Sequence, residues 1–105
     1  MGVWGRKITV DKSDLNRWQS LDAAVVLIAL ADYAKEDVSY VPRLNTRSSR
    51  WHVIAGGHDH EILCTGPKFW DSRANCGGGG ALDLAMHLFG FNFKQAARVL
   101  AERKL

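Results

Sequence analysis

Histidine and cysteine side chains, which bind transition metals, are concentrated between residues 58 and 76. Structural zinc sites use imidazole and thiolate ligands in closely spaced pairs, and the spacing here does not match. In a strand, a period of two places the first three of these side chains on one side, so an offset four-ligand zinc site stays an alternative. We expect surface histidines and free thiols, with no metal and no cofactor. The four side chains are His58, His60, Cys64 and Cys76.

The segment His58-Asp59-His60-Glu61 also contains the residue types of hydrolytic metal centres. Such a centre needs further ligands at fixed distances and an open position for water. The other histidines are His52 and His87, and no Ser, Cys or Thr stands in a recognisable nucleophile motif. The sequence therefore predicts a protein that is not an enzyme.

Four consecutive glycines at positions 77–80 lead directly into a predicted helix. Backbone N–H groups at such a helix start can hold a phosphate, and Lys68 and Arg73 flank the tract. No Lys-Ser or Lys-Thr follows, so the tract is not a nucleotide-binding P-loop. A tight turn with positive φ at two or more glycines is the alternative interpretation.

Positive charge accumulates in the second part of the chain. The 105 residues contain 14 Lys and Arg against 11 Asp and Glu, a net charge of +3. No acidic residue lies between Asp37 and Asp59, whereas arginines stand at positions 43, 47 and 50. Arginines beside the rings of Trp51 and His52 suit a phosphate backbone with bases to stack on. A solvated, mildly basic loop is the alternative.

Hydrophobic periodicity predicts one helix, then strands, then two helices. Ser20 is a good N-cap for an apolar helix over residues 21–31, and a short helical turn precedes it. Residues 50–55, 61–65 and 68–71 read as strands joined by glycine-rich connections, which is typical of an antiparallel meander. A helix over residues 81–89 ends at Gly90, and Asn92 with Gln95 forms a capping box for the last helix.

The predicted class is therefore α+β, in a single domain of residues 1–105. A helical extension over residues 1–40 precedes a three-stranded antiparallel sheet and two closing helices over residues 41–105. The longest apolar run is too short to span a membrane, and Met1-Gly2-Val3-Trp4 does not begin a secretory signal. We expect a cytoplasmic protein with reduced thiols.

The last third of the chain carries a recognisable pattern, which begins at Lys68-Phe69-Trp70 and continues through the glycines to Ala81-Leu82-Asp83. The further positions of the pattern are Met86, Phe93, Ala97, Leu100 and Ala101. It resembles the zinc-binding domain of bacterial-type DNA primases, and the degenerate versions in plasmid and mobile-element primases and relaxase–primase proteins. The resemblance covers about residues 50–102.

The metal site of that family is missing here. Alignment on Ala81-Leu82-Asp83 puts Ser72 and Asn75 at the positions of a Cys-x-x-Cys pair, and neither is a zinc ligand. The upstream Cys-x-x-His pair is also absent. The resemblance thus implies a zinc-ribbon-like sheet that has lost its zinc and depends on a larger apolar core. Its members would include Phe69, Trp70, Leu82 and Met86.

The main functional hypothesis is a non-catalytic module that binds single-stranded DNA during replication or transfer of a plasmid or mobile element. Because side chains alternate along a strand, one ring of each neighbouring pair is expected on the open side of the sheet. The expected phosphate contacts are Arg43, Arg47, Arg50, Lys68 and Arg73. The expected stacking rings are Trp51, His52, Phe69 and Trp70.

An adaptor that binds another protein is the alternative hypothesis. The apolar helix over residues 21–31 has enough hydrophobic surface for a partner or for self-association. The expected partners are a polymerase, primase, helicase, relaxase or host defence protein. On this interpretation the chain is a monomer or a weak dimer.

Overall fold

The computed structural model describes residues 9–43 and 47–105, which form four helices and one five-stranded antiparallel sheet. The strands follow each other across the sheet in chain order. The helices are α1 (Lys12–Ser20), α2 (Ala23–Leu30), α3 (Ala81–Phe89) and α4 (Phe93–Glu102). The strands are β1 (Tyr33–Glu36), β2 (Ser48–Ala55), β3 (His58–Thr65), β4 (Lys68–Asp71) and β5 (Cys76–Gly79).

The predicted three-stranded, zinc-ribbon-like sheet with one N-terminal helix is wrong. Two further strands, β1 and β5, pair with β2 and β4 and make a five-stranded sheet. Both are four residues long, and the glycines of β5 have low strand propensity. Hydrogen bonding to a neighbouring strand, which local sequence does not reveal, holds them extended. The molecule is α+β, with a different number of helices and strands from the prediction.

The N-terminal helical region is also divided differently from the prediction. Ser20 ends α1 instead of capping the apolar helix, and its hydroxyl donates to the Arg17 carbonyl at 2.9 Å. Asp22 precedes α2 without a side-chain cap. The backbone N–H of Ala23 instead donates to the carbonyl of Gly66, in the turn between β3 and β4, at 2.8 Å. A long-range bond therefore determines where α2 begins.

The two C-terminal helices end and begin at the residues that the sequence predicts. Gly90 follows α3 with a left-handed φ of 70°, which suits a glycine. Asn92 and Gln95 form a reciprocal capping box at the start of α4, with both hydrogen bonds 2.9 Å long. Among the described residues, no helix is long and apolar enough to cross a membrane. Residues 1–4, which are predicted not to begin a secretory signal, lie outside the described residues.

The helices cover one face of the sheet, and the other face, here called the open face, is accessible. Buried strand residues such as Val53 and Ile62 join the helix residues Leu27 and Leu84 in one core. Neighbouring strand residues point the opposite way, as the exposure of Ile54 and Trp70 shows. The strand alternation thus separates a packed face from a face that can meet a ligand.

In strand β5, the neighbouring residues leave no room for a side chain at Gly77 or Gly78. A Cβ on Gly77 would lie 2.4 Å from the carbonyl oxygen of Phe69 and 2.9 Å from Cε3 of Trp70. A Cβ on Gly78 would lie 3.0 Å from the Asp83 side chain. In the glycine tract only Gly80 has a left-handed φ, so the alternative of a tight turn with two or more such residues is wrong.

We predict that Gly77→Ala destabilises the protein, because the added methyl group collides with backbone atoms that cannot move independently. The expected loss in the free energy of unfolding is about 2 kcal/mol. Urea denaturation followed by circular dichroism measures it. Gly79→Ala is the matched control, since its nearest neighbour, Cγ of Lys68, would be 3.9 Å away. Equal losses in the two variants would contradict the packing described for β5.

Candidate functional site

A row of side chains crosses the open face from strand to strand. Arg50 on β2 is paired with Leu63 on β3, and Leu63 with Trp70 on β4. Trp70 is in turn opposite Gly77 on β5, where the missing side chain leaves room for the indole. The Trp70 side chain is 43% exposed, an unusual state for so large a ring. The row therefore presents an aromatic surface to solvent.

A groove of about 510 Å³ lies beside Trp70, and residues from the segment before β2 form its other side. Its lining combines apolar and aromatic surface with two positive charges, from Arg43 and Lys68, and includes no acidic residue. Among the described residues, neither of these two side chains forms an ion pair with a carboxylate. The full lining is Tyr40, Val41, Arg43, Ser48, Leu63, Thr65, Lys68, Phe69 and Trp70.

The predicted stacking rings are divided between the two faces, one from each neighbouring pair on each side. His52 and Trp70 lie on the open face. Trp51 lies on the helix side, packs against the core, and donates from Nε1 to the Ser49 hydroxyl at 2.9 Å. Phe69 is only 5% exposed and belongs to the core. The structure thus leaves Trp70 and His52 as the rings that a base could reach from the open face.

Two of the predicted phosphate ligands already have carboxylate partners. Arg50 contacts Asp37 at 2.6 Å, between Nη2 and Oδ2, and stacks over the Tyr40 ring. Arg73 lies 3.4 Å from Glu61. These acids partly neutralise that end of the open face. Arg47 is not among the residues that line the groove, and its Nη2 lies near Gly66 in the turn between β3 and β4. Arg43 and Lys68 are the predicted cations that the groove brings to Trp70.

The glycine tract is not a free phosphate site. The backbone N–H of Gly79 already donates to the carboxylate of Asp83, at 3.2 Å. A negative side chain therefore occupies the start of α3, where a phosphate would bind. The interpretation of the tract as a phosphate cradle is not supported by this geometry.

A second cluster of polar side chains lies on the helix side of the sheet, around Asp71 at the end of β4. Asp71 is 2% exposed. Its Oδ1 accepts the backbone N–H groups of Arg73 and Ala74, each at 3.0 Å. Its Oδ2 accepts from Nε2 of His87 on α3, at 2.7 Å. The buried Asp71 carboxylate thus connects the turn between β4 and β5 to α3.

His60 on β3 completes this cluster. Its Nδ1 lies 3.5 Å from Oδ2 of Asp71, and its Nε2 is buried with no hydrogen-bond partner among the described residues. Burial by itself raises the pKa of Asp71, but the N–H of Ala74 and the imidazoles of His87 and His60 outweigh it. The net pKa of Asp71 is below the ordinary value, so the carboxylate is ionised at neutral pH.

The two cysteines have different surroundings. Cys76 is exposed, and its Sγ lies 3.6 Å from Nδ1 of His87, so a thiol, an imidazole and a carboxylate stand in series. Cys64 is buried in the core, and burial raises the pKa of its thiol to about 12. His58 is exposed at the start of β3. The offset four-ligand set considered from the sequence is therefore not assembled among the described residues.

A different set of metal-ligand types is assembled instead. One atom from each of His60, Asp71 and His87 lies within 4.8 Å of the others. Two imidazoles and one carboxylate are ligands that divalent transition metals accept. The sequence offers His60 as a candidate ligand but does not connect it with His87 or with Asp71, because the three residues lie on β3, β4 and α3. Their spacing along the chain carries no metal-site signal.

Helix α2 has two exposed apolar side chains. Val25 is 51% exposed and Ile28 is 59% exposed. Residues three apart lie on the same side of a helix, so the two form one small apolar patch. The larger side chains on the opposite side of the helix, Val26, Leu27 and Leu30, are buried in the core, which limits the surface available to a partner.

Part of the chain is similar to a known protein. No family model matches the sequence, and no solved structure matches it. A protein of Zymomonas mobilis subsp. mobilis described as "65 kDa protein" is 46% identical over 46 residues. The match covers 44% of this chain and 8% of that protein. The chain thus corresponds to a small part of that relative, whose description states no activity.

We predict that Arg50→Gln raises the pKa of Asp37. The hydroxyl and N–H of Ser39 and the Arg50 guanidinium together lower the pKa of Asp37 to about 2. Removing Arg50 should return it part of the way to the ordinary value, since Ser39 remains. Titration of the Asp37 carboxyl carbon by NMR measures the change, with Arg43→Gln as the control.

The pKa shift of Asp37 also fixes the sign of its effect on stability. Because the folded pKa is lowered, this group stabilises the fold above its ordinary value of 3.8 and loses that effect as the pH falls toward about 2. In Arg50→Gln, the free energy of unfolding should therefore fall less steeply as the pH decreases from 3.8 to about 2. An unchanged Asp37 pKa in the variant would show that Arg50 is not engaged by this carboxylate.

Proposed function

We propose that the chain is a non-catalytic module that binds single-stranded DNA through the groove beside Trp70. The observation that carries the proposal is an exposed tryptophan on the open face, next to Arg43 and Lys68, two cations that form no ion pair with a carboxylate in the described part of the chain. Aromatic rings combined with positive charge are the common means of binding single strands with little sequence preference.

The proposed contacts divide into stacking and charge neutralisation. A base stacks on the outer side of the Trp70 indole, whose inner side lies over Gly77. Lys68 and Arg43 bind the phosphates on either side of that base. Thr65 and Ser48, whose hydroxyls lie 2.7 Å apart, add polar groups along the groove. These contacts fit a single strand of DNA that crosses the β-sheet obliquely.

A single strand fits this surface better than a duplex does. The bases of a duplex are stacked on each other, so a ring on a flat sheet cannot reach their faces without disrupting the helix. A duplex also needs a wider field of positive charge than the groove provides. Arg50 and Arg73 do not extend that field, because Asp37 and Glu61 are paired with them.

The biological role in this proposal rests on the resemblance to primase zinc-binding domains over residues 50–102. A module of that kind would be accessory to replication or transfer of a plasmid or mobile element, beside a separate catalytic protein. Loss of the family's zinc ligands is compatible with this role, since the proposed contacts are made by Trp70, Lys68 and Arg43.

A protein-binding adaptor is the second candidate, and the exposed pair Val25 and Ile28 on α2 favours it. In that case a polymerase, primase, helicase or relaxase, or a second copy of the chain, would cover the patch. Two results together would favour the adaptor over the DNA-binding module. The chain would sediment as a dimer that dissociates in the double variant Val25→Ser/Ile28→Ser, and it would not bind an oligonucleotide.

We predict that a fluorescein-labelled oligothymidylate binds the chain at low salt with a dissociation constant on the order of 10 µM. Trp70→Ala should weaken binding by about tenfold or more, because one stacked base is lost. Lys68→Gln should reduce the slope of log affinity against log salt by about 0.7, as expected for one phosphate contact on a single strand. Fluorescence anisotropy measures all three quantities.

Arg73→Gln is the matched control for Lys68→Gln. Both variants remove one positive charge from the region of β4, but Arg73 is already paired with Glu61. Its loss should change the affinity and the salt slope much less. Equal effects of the two variants would contradict the location of the site. No anisotropy change at low salt with tens of micromolar protein would end the proposal itself, since non-specific affinities lie in that range.

A further inference from the structure

We propose that His60, Asp71 and His87 form a binding site for one divalent transition-metal ion with zinc-like ligand preferences. The site lies on the helix side of the sheet, opposite the groove, so it does not depend on the DNA-binding proposal. It differs from the ligand set considered in the sequence and from the Cys-x-x-Cys position of the resembled family. Its ligands come from β3, β4 and α3.

The distances between the ligand atoms are close to those that an ion requires. Zinc bonds to nitrogen and oxygen of about 2.0–2.2 Å place two tetrahedral ligands about 3.4 Å apart. His60 Nδ1 and Asp71 Oδ2 lie 3.5 Å apart, which already fits. His87 Nε2 lies 2.7 Å from the same oxygen. When an ion binds, two metal bonds replace this hydrogen bond, and the distance between the two atoms increases by well under 1 Å. A side-chain adjustment of that size needs no movement of the strands.

The surroundings of His60 favour an ion over a closed hydrogen-bond network. A neutral imidazole has one donor and one acceptor nitrogen, and both need partners when they are buried. Here Nδ1 has a single contact at the outer limit of a hydrogen bond, and Nε2 has none among the described residues. Coordination through Nδ1 gives that nitrogen a strong partner in place of its long contact, and Nε2 then carries the ring proton.

The charge of the site also favours a cation. Asp71 is only 2% exposed, and a carboxylate buried this deeply is costly unless a positive charge lies beside it. Its Oδ1 is occupied by the N–H groups of Arg73 and Ala74, and its Oδ2 faces the two imidazoles. A divalent ion between Oδ2 and the histidines balances this charge with both rings neutral.

The second nitrogen of His87 faces a thiol, where most metal-ligating histidines have a carboxylate, a backbone carbonyl or a water molecule. Its Nδ1 faces Sγ of Cys76 at 3.6 Å, and the Phe69 ring packs beside it at 5.5 Å between centroids. Outer partners of this kind fix the orientation of a ligating ring. Three protein ligands leave a fourth position for water, and the bound ion joins β3 and β4 to α3.

The test is cobalt and zinc binding by the full chain, prepared without a histidine tag and stripped with a chelator. Cobalt should give one equivalent of visible absorption, which stoichiometric zinc abolishes. Zinc at about a hundredfold excess over its dissociation constant should raise the Tm by about 10 °C. His60→Gln and His87→Gln should each weaken binding by about a hundredfold or more, since loss of outer partners alone costs 10- to 100-fold.

His58→Gln is the matched control, because His58 lies on the same strand and the same side but is exposed outside the cluster. It should bind cobalt as the unchanged chain does. Circular dichroism establishes that each variant is folded. If His87→Gln unfolds, cobalt binding by His60→Gln tests the metal site. Absence of stoichiometric cobalt binding, or equal losses in His58→Gln and His60→Gln, would overturn the proposal.

Discussion

The register of β4 is the constraint on which both proposed sites depend. Its four residues alternate, so Phe69 and Asp71 point to the helices while Lys68 and Trp70 point to the open face. Pairing with β3 on one side and with the glycines of β5 on the other holds this register. A slip of one residue would exchange the two faces, burying a lysine and exposing the carboxylate that holds His87. One short strand therefore supplies the aromatic ring of the groove and the central ligand of the histidine cluster.

Local signals in the sequence were sufficient for some elements and not for others. Gly90 and the Asn92–Gln95 box mark the ends of the two C-terminal helices because those contacts lie within a few residues. The start of α2 was not predictable, since its first N–H bonds to the carbonyl of Gly66 far along the chain. Strand β5 was missed for a related reason. Its glycines have no strand preference, and only the crowding by Phe69, Trp70 and Asp83 explains why side chains are excluded there.

The candidate sites show the same division between local and long-range information. Strand alternation predicted that one ring of each neighbouring pair would face the open side, and the structure identifies these as His52 and Trp70. The sequence could not show that Asp37 and Glu61 would partner Arg50 and Arg73, because these acids come from other strands or connections. The cluster of His60, Asp71 and His87 gave no signal at all. Its members meet only because β3, β4 and α3 are packed together.

The central claim is that the two faces of the sheet have separate roles, and NMR mapping with a ¹⁵N-labelled chain tests it most directly. Addition of oligothymidylate should shift the Trp70 indole signal and the amides of Lys68, Thr65 and Arg43. Amides around His60 and His87 should respond to zinc and remain nearly unchanged with the oligonucleotide. Oligonucleotide shifts centred on α2 or on the histidine cluster, with Trp70 unaffected, would contradict the account.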